Sequence, residues 1–308
     1  MILSCGEALI DMLPRQATTG EAAFAPHAGG AVFNTAIALG RLGAPAGFFS
    51  GIAEDFMGQL LADTLLASNV DTSFVKRAPR PSTLAFVQLV GGQARYAFYD
   101  VGTAGRMLSA EDLPALPASV TALFFGGISL VGDPCGATYE TLMLREAPHR
   151  VTMIDPNIRP GFITDEPAYR GRLSRMIAAA DIVKLSDEDL RWLEGAGEIE
   201  PLARRILAQG PKLVLITEGA QGAHGFTAEL SVFSPARKVT VADTVGAGDT
   251  FNAGALAALE RDGLLTKTAL AALTTDQLLA ALDLGIAAAA VTVSRPGANP
   301  PWAHELTA

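Results

Sequence analysis

The chain has 308 residues, of which 49% are hydrophobic and 18% charged, and it carries a formal net charge of -9. That length and apolar content suit one large α/β domain with a sizeable core. The negative charge argues against a nucleic-acid partner, which needs a cationic surface, but not against a small phosphate ligand held by a few local donors.

The opening residues "MILSCGEALIDMLPR" have no basic flank and meet Gly6 and Glu7 almost at once, so no signal peptide is expected there. No run of about eighteen apolar residues follows, so no membrane span is expected and the expected compartment is the cytoplasm. "ILSC" and "AGFFSGI" read as strands, with "VFNTAIALGRLG" between them as a helix. Further on, "ALFFGG", "VTMID", "DIVKL" and "KLVLIT" are short apolar runs bounded by turns. Helical patterns cover residues 139–145, 169–180, 187–193 and 202–209. This alternation is the mark of βαβ units, giving a mainly parallel sheet with helices on both faces. No fixed-period repeat or linker appears, so a single domain over residues 1–308 is expected.

One stretch breaks the alternation. "TLAFVQLVGGQARYAFYD" is two strand-like runs meeting at Gly91 and Gly92, the pattern of a β-hairpin. Residues 13–28 also lack a helical period and are expected to join it. Lid segments are therefore placed at about 13–28 and 72–106; the alternative is an antiparallel edge of the main sheet. Cys5 and Cys135 suggest no disulfide framework, and His27, His149, His224 and His304 have no metal-ligand spacing.

Toward the C-terminus, "TEGAQGAHGF" runs into the hairpin-like "GAHGFTAELSVFS" rather than a helix, which weakens a dehydrogenase reading. No G-x-x-x-x-G-K-[ST] run occurs, so the chain is not a P-loop enzyme. "VADTVGAGDTFNAG" is different. "VTVAD" reads as a strand, "TVGAG" as a turn, and "DTFNAGALAALE" as a helix with apolar spacing at Phe251, Leu256 and Leu259. Gly246, Ala247 and Gly248 thus sit at a helix N-terminus, where unpaired amides and the dipole favour an anion such as phosphate. Asp249 beside them would repel phosphate unless it takes a proton from a hydroxyl attacking that phosphate. The competing reading is a helix-capping acid. The Ala-rich "LDLGIAAAAVTVS" reads as a buried helix.

"DTVGAGDTFNAG" resembles the C-terminal signature of the ribokinase-like, or pfkB-type, carbohydrate kinases. "GEALIDM", "HAGGAVFNTAIALGRLG", "GIAEDFMGQ", "DPNIRPGF", "VKLSDEDL", "ITEGAQGAHGF" and "SRPGANPPW" agree with it over nearly the whole chain. The combination is most similar to the bacterial fructokinase branch, with 2-keto-3-deoxygluconate kinases next; a non-catalytic sugar- or nucleotide-binding regulator is the alternative from another class. The resemblance implies a ribokinase-like α/β fold with a small β lid, and ATP-dependent phosphorylation of a sugar hydroxymethyl group with Mg²⁺. It implies sugar contacts from Asp11, Gly29, Gly30, Asn34, Phe98, Asp100 and Arg159, with Asp249 as base and Gly246, Ala247 and Gly248 holding developing charge. It places Asn157, Arg159, Lys184, Ser186, Thr217, Gly219, Gly222, Gly246 and Gly248 on the nucleotide side. Asp189 would reach Mg²⁺ through water, and Asp243, Val245, Thr292, Arg295 and Gly297 match positions that bind a monovalent cation such as K⁺. Two departures stand out: Asp100 where the family often has Arg, and Gly285 with Ile286 where it often has an Asn facing adenine. Asp100 is expected to face the sugar and favour a neutral one. A flap with unpaired edges, and the relatives' habit of pairing through their lids, imply a homodimer.

Overall fold

The structure is a computed structural model that describes residues 1–90 and 93–306. In chain order the elements are β1 (Ile2–Cys5), β2 (Leu9–Gln16), β3 (Ala22–Gly29), α1 (Ala31–Arg41), β4 (Ala46–Phe49), β5 (Gly51–Ala53), α2 (Phe56–Ala67), β6 (Val70–Asp71), β7 (Lys76–Ala78), β8 (Leu84–Val90), β9 (Gln93–Tyr99) and β10 (Ala122–Gly126). Then come α3 (Cys135–Glu146), β11 (Val151–Asp155), α4 (Glu166–Ala179), β12 (Ile182–Ser186), α5 (Asp187–Glu194), α6 (Ile199–Leu207), β13 (Leu213–Thr217), β14 (Gly222–Phe226), β15 (Ser231–Pro235), α7 (Ala247–Arg261), α8 (Lys267–Ala271) and α9 (Thr275–Val293).

The main sheet has nine strands in the order β15-β14-β13-β12-β11-β10-β1-β4-β6. From β13 to β6 the pairings are parallel, and β14 and β15 add an antiparallel edge. Its inner strands are continuous apolar runs because helices cover both faces. Ile2, Phe124, Met153 and Ile182 point to one face, where α1, α7 and α9 close over them with Phe33, Leu256 and Leu282. Their neighbours Leu3, Phe125, Ile154 and Val183 point to the other, where α3, α4 and α6 supply Leu142, Leu173 and Ile206. Period-two alternation within each strand therefore builds two cores, one on each side.

The second sheet has four strands in the order β3-β2-β8-β9. β2 pairs antiparallel with β3 from Leu9↔Gly29 to Gln16↔Ala22, and parallel with β8 through Met12↔Phe86. β8 and β9 pair antiparallel, as a hairpin does; its expected turn at Gly91 and Gly92 lies outside the described residues. The hairpin is thus not an edge of the main sheet. Residues 76–78, inside the expected lid range, belong instead to a two-stranded ribbon in which β7 pairs with β5.

Asp11 lies within β2, in the second sheet, and not on β1, which stops at Cys5. Three expectations need correction. "AGFFSGI" is two strands in two sheets, broken at Ser50: β4 pairs within the main sheet, whereas from Ser50 on the chain pairs with the β7 segment, the Ser50 carbonyl accepting from the amide of Lys76 at 2.9 Å. "VTVAD" forms no strand; the amides of Ala242 and Asp243 instead donate to the Val293 carbonyl at the end of α9, at 2.8 and 3.2 Å. The last helix begins at Thr275, well before the Ala-rich run, and its 19 residues are long and apolar enough by length and composition to cross a membrane. Its Leu278, Ala281, Leu282 and Ala288 are buried, and it lies along α7 with Gly285 and Gly254 in close contact. Gly285 is therefore a helix-crossing residue, and Ile286 is buried beside it.

Candidate active site

The carboxyl ends of parallel strands in an open α/β sheet are where ligands bind. Here that edge carries a cleft of about 520 Å³, roofed on one side by Leu9, Asp11 and Phe98 of the second sheet. The loop after β1, the start of α1, the turn after β10, the end of β11 with the loop that follows it, and the turn into α7 form the rest.

α7 begins at Gly246, which has left-handed geometry with φ 77. A Cβ there would also lie 2.8 Å from the Ala298 Cβ, so both backbone and space require glycine. At Gly248 a Cβ would lie 3.2 Å from Lys184 Nζ, so the bare backbone sits directly against an ammonium. The first amides of α7 lack intrahelical acceptors, and helix dipole and Lys184 both favour an anion in front of them. The Ala247 amide also reaches the Thr244 carbonyl, at 3.4 Å.

Asp249 follows and is buried. Its Oδ2 accepts a hydrogen bond from Asn34 Nδ2 at 2.9 Å, and its main-chain oxygen accepts one from Thr35 Oγ1 at 3.2 Å. The carboxylate is thus turned to α1, and Gly246 at the N-cap has no side-chain capping bond. Burial pushes the Asp249 carboxyl up to about 7; the Asn34 hydrogen bond opposes the rise, and the charges of Asp155 and Glu7 add to it. A carboxyl poised near neutrality beside an anion site suits proton transfer.

Beneath the cradle, Asp155 at the end of β11 accepts from Lys184 Nζ at 2.9 Å and from Asn252 Nδ2 at 2.7 Å. Its other oxygen accepts from the amide of Asn157 at 3.1 Å, and Asn157 has a positive φ of 44, uncommon for a non-glycine residue. Arg159 lines the cleft, with Nη1 donating to the Ile158 carbonyl at 3.0 Å. At the opposite end, burial raises Asp11 to about 6. Gly29 makes room for it, since a Cβ there would lie 2.4 Å from Asp11 Oδ2. Gly30 caps α1 with φ 111, and Asn34 lies one turn on. Phe98 of β9 meets Phe162 across the cleft, with ring centroids 4.5 Å apart.

The cleft therefore gathers Asp11, Gly30, Asn34, Phe98, Asn157, Arg159, Val245, Gly246, Ala247, Gly248 and Asp249, with Gly29 and Lys184 directly behind it. Other expected residues lie elsewhere. Asp100 is outside the lining and pairs with Arg106, at 3.5 Å, so a carboxylate facing the sugar from that position is not what the structure shows. Ser186 caps α5, accepting from the amide of Asp189 at 3.0 Å. Asp189 is buried and accepts from the amide of Ile158 at 3.2 Å; burial raises it to about 6. Thr217 pairs in register with Ser186 at the same sheet edge. Gly219 has φ 51 and open space around its Cβ position, whereas Gly222, with φ 140, is pressed against the Ser234 carbonyl. Asp243 joins two loops: its carboxylate accepts from the amides of Val245 at 3.1 Å and Gly297 at 3.0 Å. Thr292 is buried on Thr250, and Arg295 pairs with Glu305 at 2.6 Å.

Sequence reasoning gave no role to Glu7, Asp155, Asn252 or Phe162. Glu7 and Asp155 stand inside "GEALIDM" and "DPNIRPGF", stretches already singled out, and their being charged among apolar runs was the available signal.

Comparison with known proteins gives a consistent result. The family model described as pfkB family carbohydrate kinase matches residues 1–305. A fructokinase of Rhizobium leguminosarum bv. trifolii is 61% identical over 273 residues, 89% of this chain and 84% of the relative. A fructokinase of Klebsiella pneumoniae is 35% identical over 89% of each chain. Among solved structures, fructokinase from Xylella fastidiosa with bound ATP superposes with a TM-score of 0.89 at 28% identity, covering 99% of this chain and 97% of that one. Aminoimidazole riboside kinase from Salmonella enterica superposes with a TM-score of 0.87 at 25% identity, with the same coverage of 99% and 97%.

Proposed function

The chain belongs to the pfkB family of carbohydrate kinases, and from that premise we propose that it is a fructokinase, moving the γ-phosphoryl group of ATP to a hydroxymethyl oxygen of fructose. The observation that carries the reading is the buried Asp249 at the mouth of the α7 amide cradle, raised to about 7 and held by Asn34.

In this reading the sugar lies between Asp11, Gly30, Asn34 and the Phe98 wall, which fixes one hydroxyl against Asp249. Asp249 accepts that proton as the oxygen attacks phosphorus. The amides of Gly246, Ala247 and Gly248, with Lys184 behind them, hold charge that develops on the transferred group. Arg159, which also lines the cleft, adds positive charge for the same group. The rest of the nucleotide extends along the sheet edge past Ser186 and Thr217 toward Gly219, the open end of that row. The second sheet acts as a lid, with Phe98 on Phe162 keeping out water that would otherwise accept the phosphate.

Mg²⁺ is proposed with ATP, and it neutralises phosphate charge when bound. Among the described residues no group of three metal-ligating side chains exists, which fits an ion held mostly by phosphate oxygens and water. Asn252 Oδ1 is buried without a hydrogen-bond partner beside Asp155, an acceptor that such water would satisfy, and Asp189 lies close by. Asp243, which joins the Val245 and Gly297 loops, is proposed to order a monovalent-cation site; replacing K⁺ by tetramethylammonium checks it. We also propose a lid-to-lid homodimer working in the cytoplasm.

The preference for a neutral sugar follows from the lining. Glu7, Asp11, Asp155 and Asp249 face Arg159 as the one cation among the lining residues. Coupled ADP release over fructose, ribose, aminoimidazole riboside and 2-keto-3-deoxygluconate tests the reading. Fructose is expected to give the highest kcat/KM; a higher value for the keto-acid would overturn it.

A further inference from the structure

The cleft contains two helix N-termini, and one of them is already filled from within the protein. α1 starts at Gly30 with no side-chain cap and no acid in its first turn. The vacancy is taken by Glu7, which comes from the loop after β1. Its Oε1 accepts from the amide of Ala31 at 2.9 Å and, less closely, from that of Val32 at 3.5 Å. Its Oε2 accepts from the amide of Ser129, in the turn after β10, at 3.3 Å. The surroundings are shaped to this carboxylate. A Cβ on Gly127, whose φ is 66, would lie 2.0 Å from Glu7 Oε1, and one on Gly30 would lie 3.1 Å from its Cγ. Glu7 is buried and forms no ion pair among the described residues; burial raises its carboxyl above the ordinary range, and the surrounding amides together with the Ser129 side chain oppose that rise. α7, by contrast, has no carboxylate on its first amides among the described residues, and its N-cap Gly246 has no side-chain capping bond.

We propose that Glu7 is a positioning residue that fills the anion site at α1, so that the sugar end of the cleft rejects phosphate and α1 holds Asn34 against Asp249. This rests on the kinase reading above. Two equivalent helix ends in one cleft would offer the triphosphate two seats, because each favours an anion. A fixed carboxylate on one of them leaves only α7. The same bonds set the height of α1, on which Asn34 sits one turn after the plugged end and donates to Asp249 Oδ2. The charged or polar groups facing Asp249 are Asn34 from α1, Glu7 from the β1 loop, Asp155 from β11 and Lys184 from β12.

The test uses Glu7→Gln and Glu7→Ala, with sulfate as the anion probe. Glu7→Gln keeps the shape and an acceptor for Ala31 but removes the charge. It is expected to lower kcat by about 3- to 30-fold with KM for ATP within about twofold, and to move the acid limb of kcat/KM to lower pH, since a like charge opposing Asp249 ionisation is gone. Glu7→Ala opens the α1 amides, so sulfate should become a competitive inhibitor against the sugar, with an inhibition constant at least about fivefold below that of the wild type. If Glu7→Ala does not fold, Glu7→Gln decides. An unchanged kcat and pH profile in Glu7→Gln, a fall in kcat that merely follows a lower melting temperature, or a folded Glu7→Ala with wild-type sulfate sensitivity would each overturn the proposal. A wild-type profile without an acid limb would count against Asp249 as base, and the Glu7 proposal would then stand or fall on the sulfate result and the split between kcat and KM.

Discussion

Gly248 shows how one missing atom can set a site. A Cβ at that position would sit 3.2 Å from Lys184 Nζ, the far end of a flexible side chain, so Gly248→Ala should be tolerated by the fold. It should instead narrow the phosphate seat. We expect kcat/KM for ATP to fall about 10-fold or more with the melting temperature little changed, because a small misplacement of reacting groups is costly. Equal kinetics in the variant would show that phosphate does not approach this amide. Gly246→Ala is the contrasting case. Left-handed geometry and the Ala298 contact at 2.8 Å should make it lose stability, by about 1–3 kcal/mol in chemical denaturation. Gly246, Gly248 and Asp249 were legible in the sequence because a glycine-rich turn opening an amphipathic helix has few structural uses. Lys184 was placed on the nucleotide side by resemblance alone; its position directly behind Gly248 was not legible, since it arrives from a strand far away in sequence and only packing brings the two together.

The second sheet is the element whose role the sequence left open between lid and edge strand. Its pairing resolves the topology: β2 and β3 join β8 and β9, so two remote segments form one sheet beside the cleft. Local alternation could reveal each strand but not the parallel β2–β8 pairing between them. On the face away from Phe98 and Asp11, Phe24 stacks edge-on against Phe86 at 5.1 Å, and Phe86 against Tyr99 at 5.6 Å. Phe24 and Tyr99 are 47% and 61% exposed, an aromatic row that a single chain leaves open to water. If lids pair, this row is the natural contact, and Phe24→Asp with Tyr99→Asp should shift light scattering from dimer to monomer at micromolar concentration. A wild type that already scatters as a monomer would rule out lid pairing. The "VTVAD" segment illustrates the opposite limit. Its alternating β-branched residues fit a strand, yet it pairs with none, and the C-terminal carbonyl of α9 accepts the amides of Ala242 and Asp243 instead.

At the scale of the whole molecule, the order of elements, the mainly parallel sheet and its helical layers were legible because buried parallel strands and amphipathic helices leave strong periodic signals. The depth of the charged groups was not, and it governs how stability depends on pH. Asp249 is raised from 3.8 to about 7, and Asp11 and Asp189 from 3.8 to about 6. Between the unfolded and folded values the folded chain holds protons that the unfolded chain has released. Stability should therefore fall as pH rises from about 4 to about 7 and then level off. Asp249→Asn removes its share, so the ligand-free variant should be more stable than the wild type by about 1–3 kcal/mol at pH 8, with the gain vanishing near pH 4. Thermal unfolding at several pH values checks this, and a variant less stable at pH 8 would contradict the burial argument. Such a cost is reasonable only if the ionised carboxylate is needed for the reaction. The most direct measurement is thus the turnover of Asp249→Asn with saturating fructose and ATP, alongside calorimetric binding of each. The account predicts a loss of about 10²- to 10⁴-fold in kcat with both ligands still bound; a loss smaller than about threefold, with binding intact, would contradict Asp249 as the base.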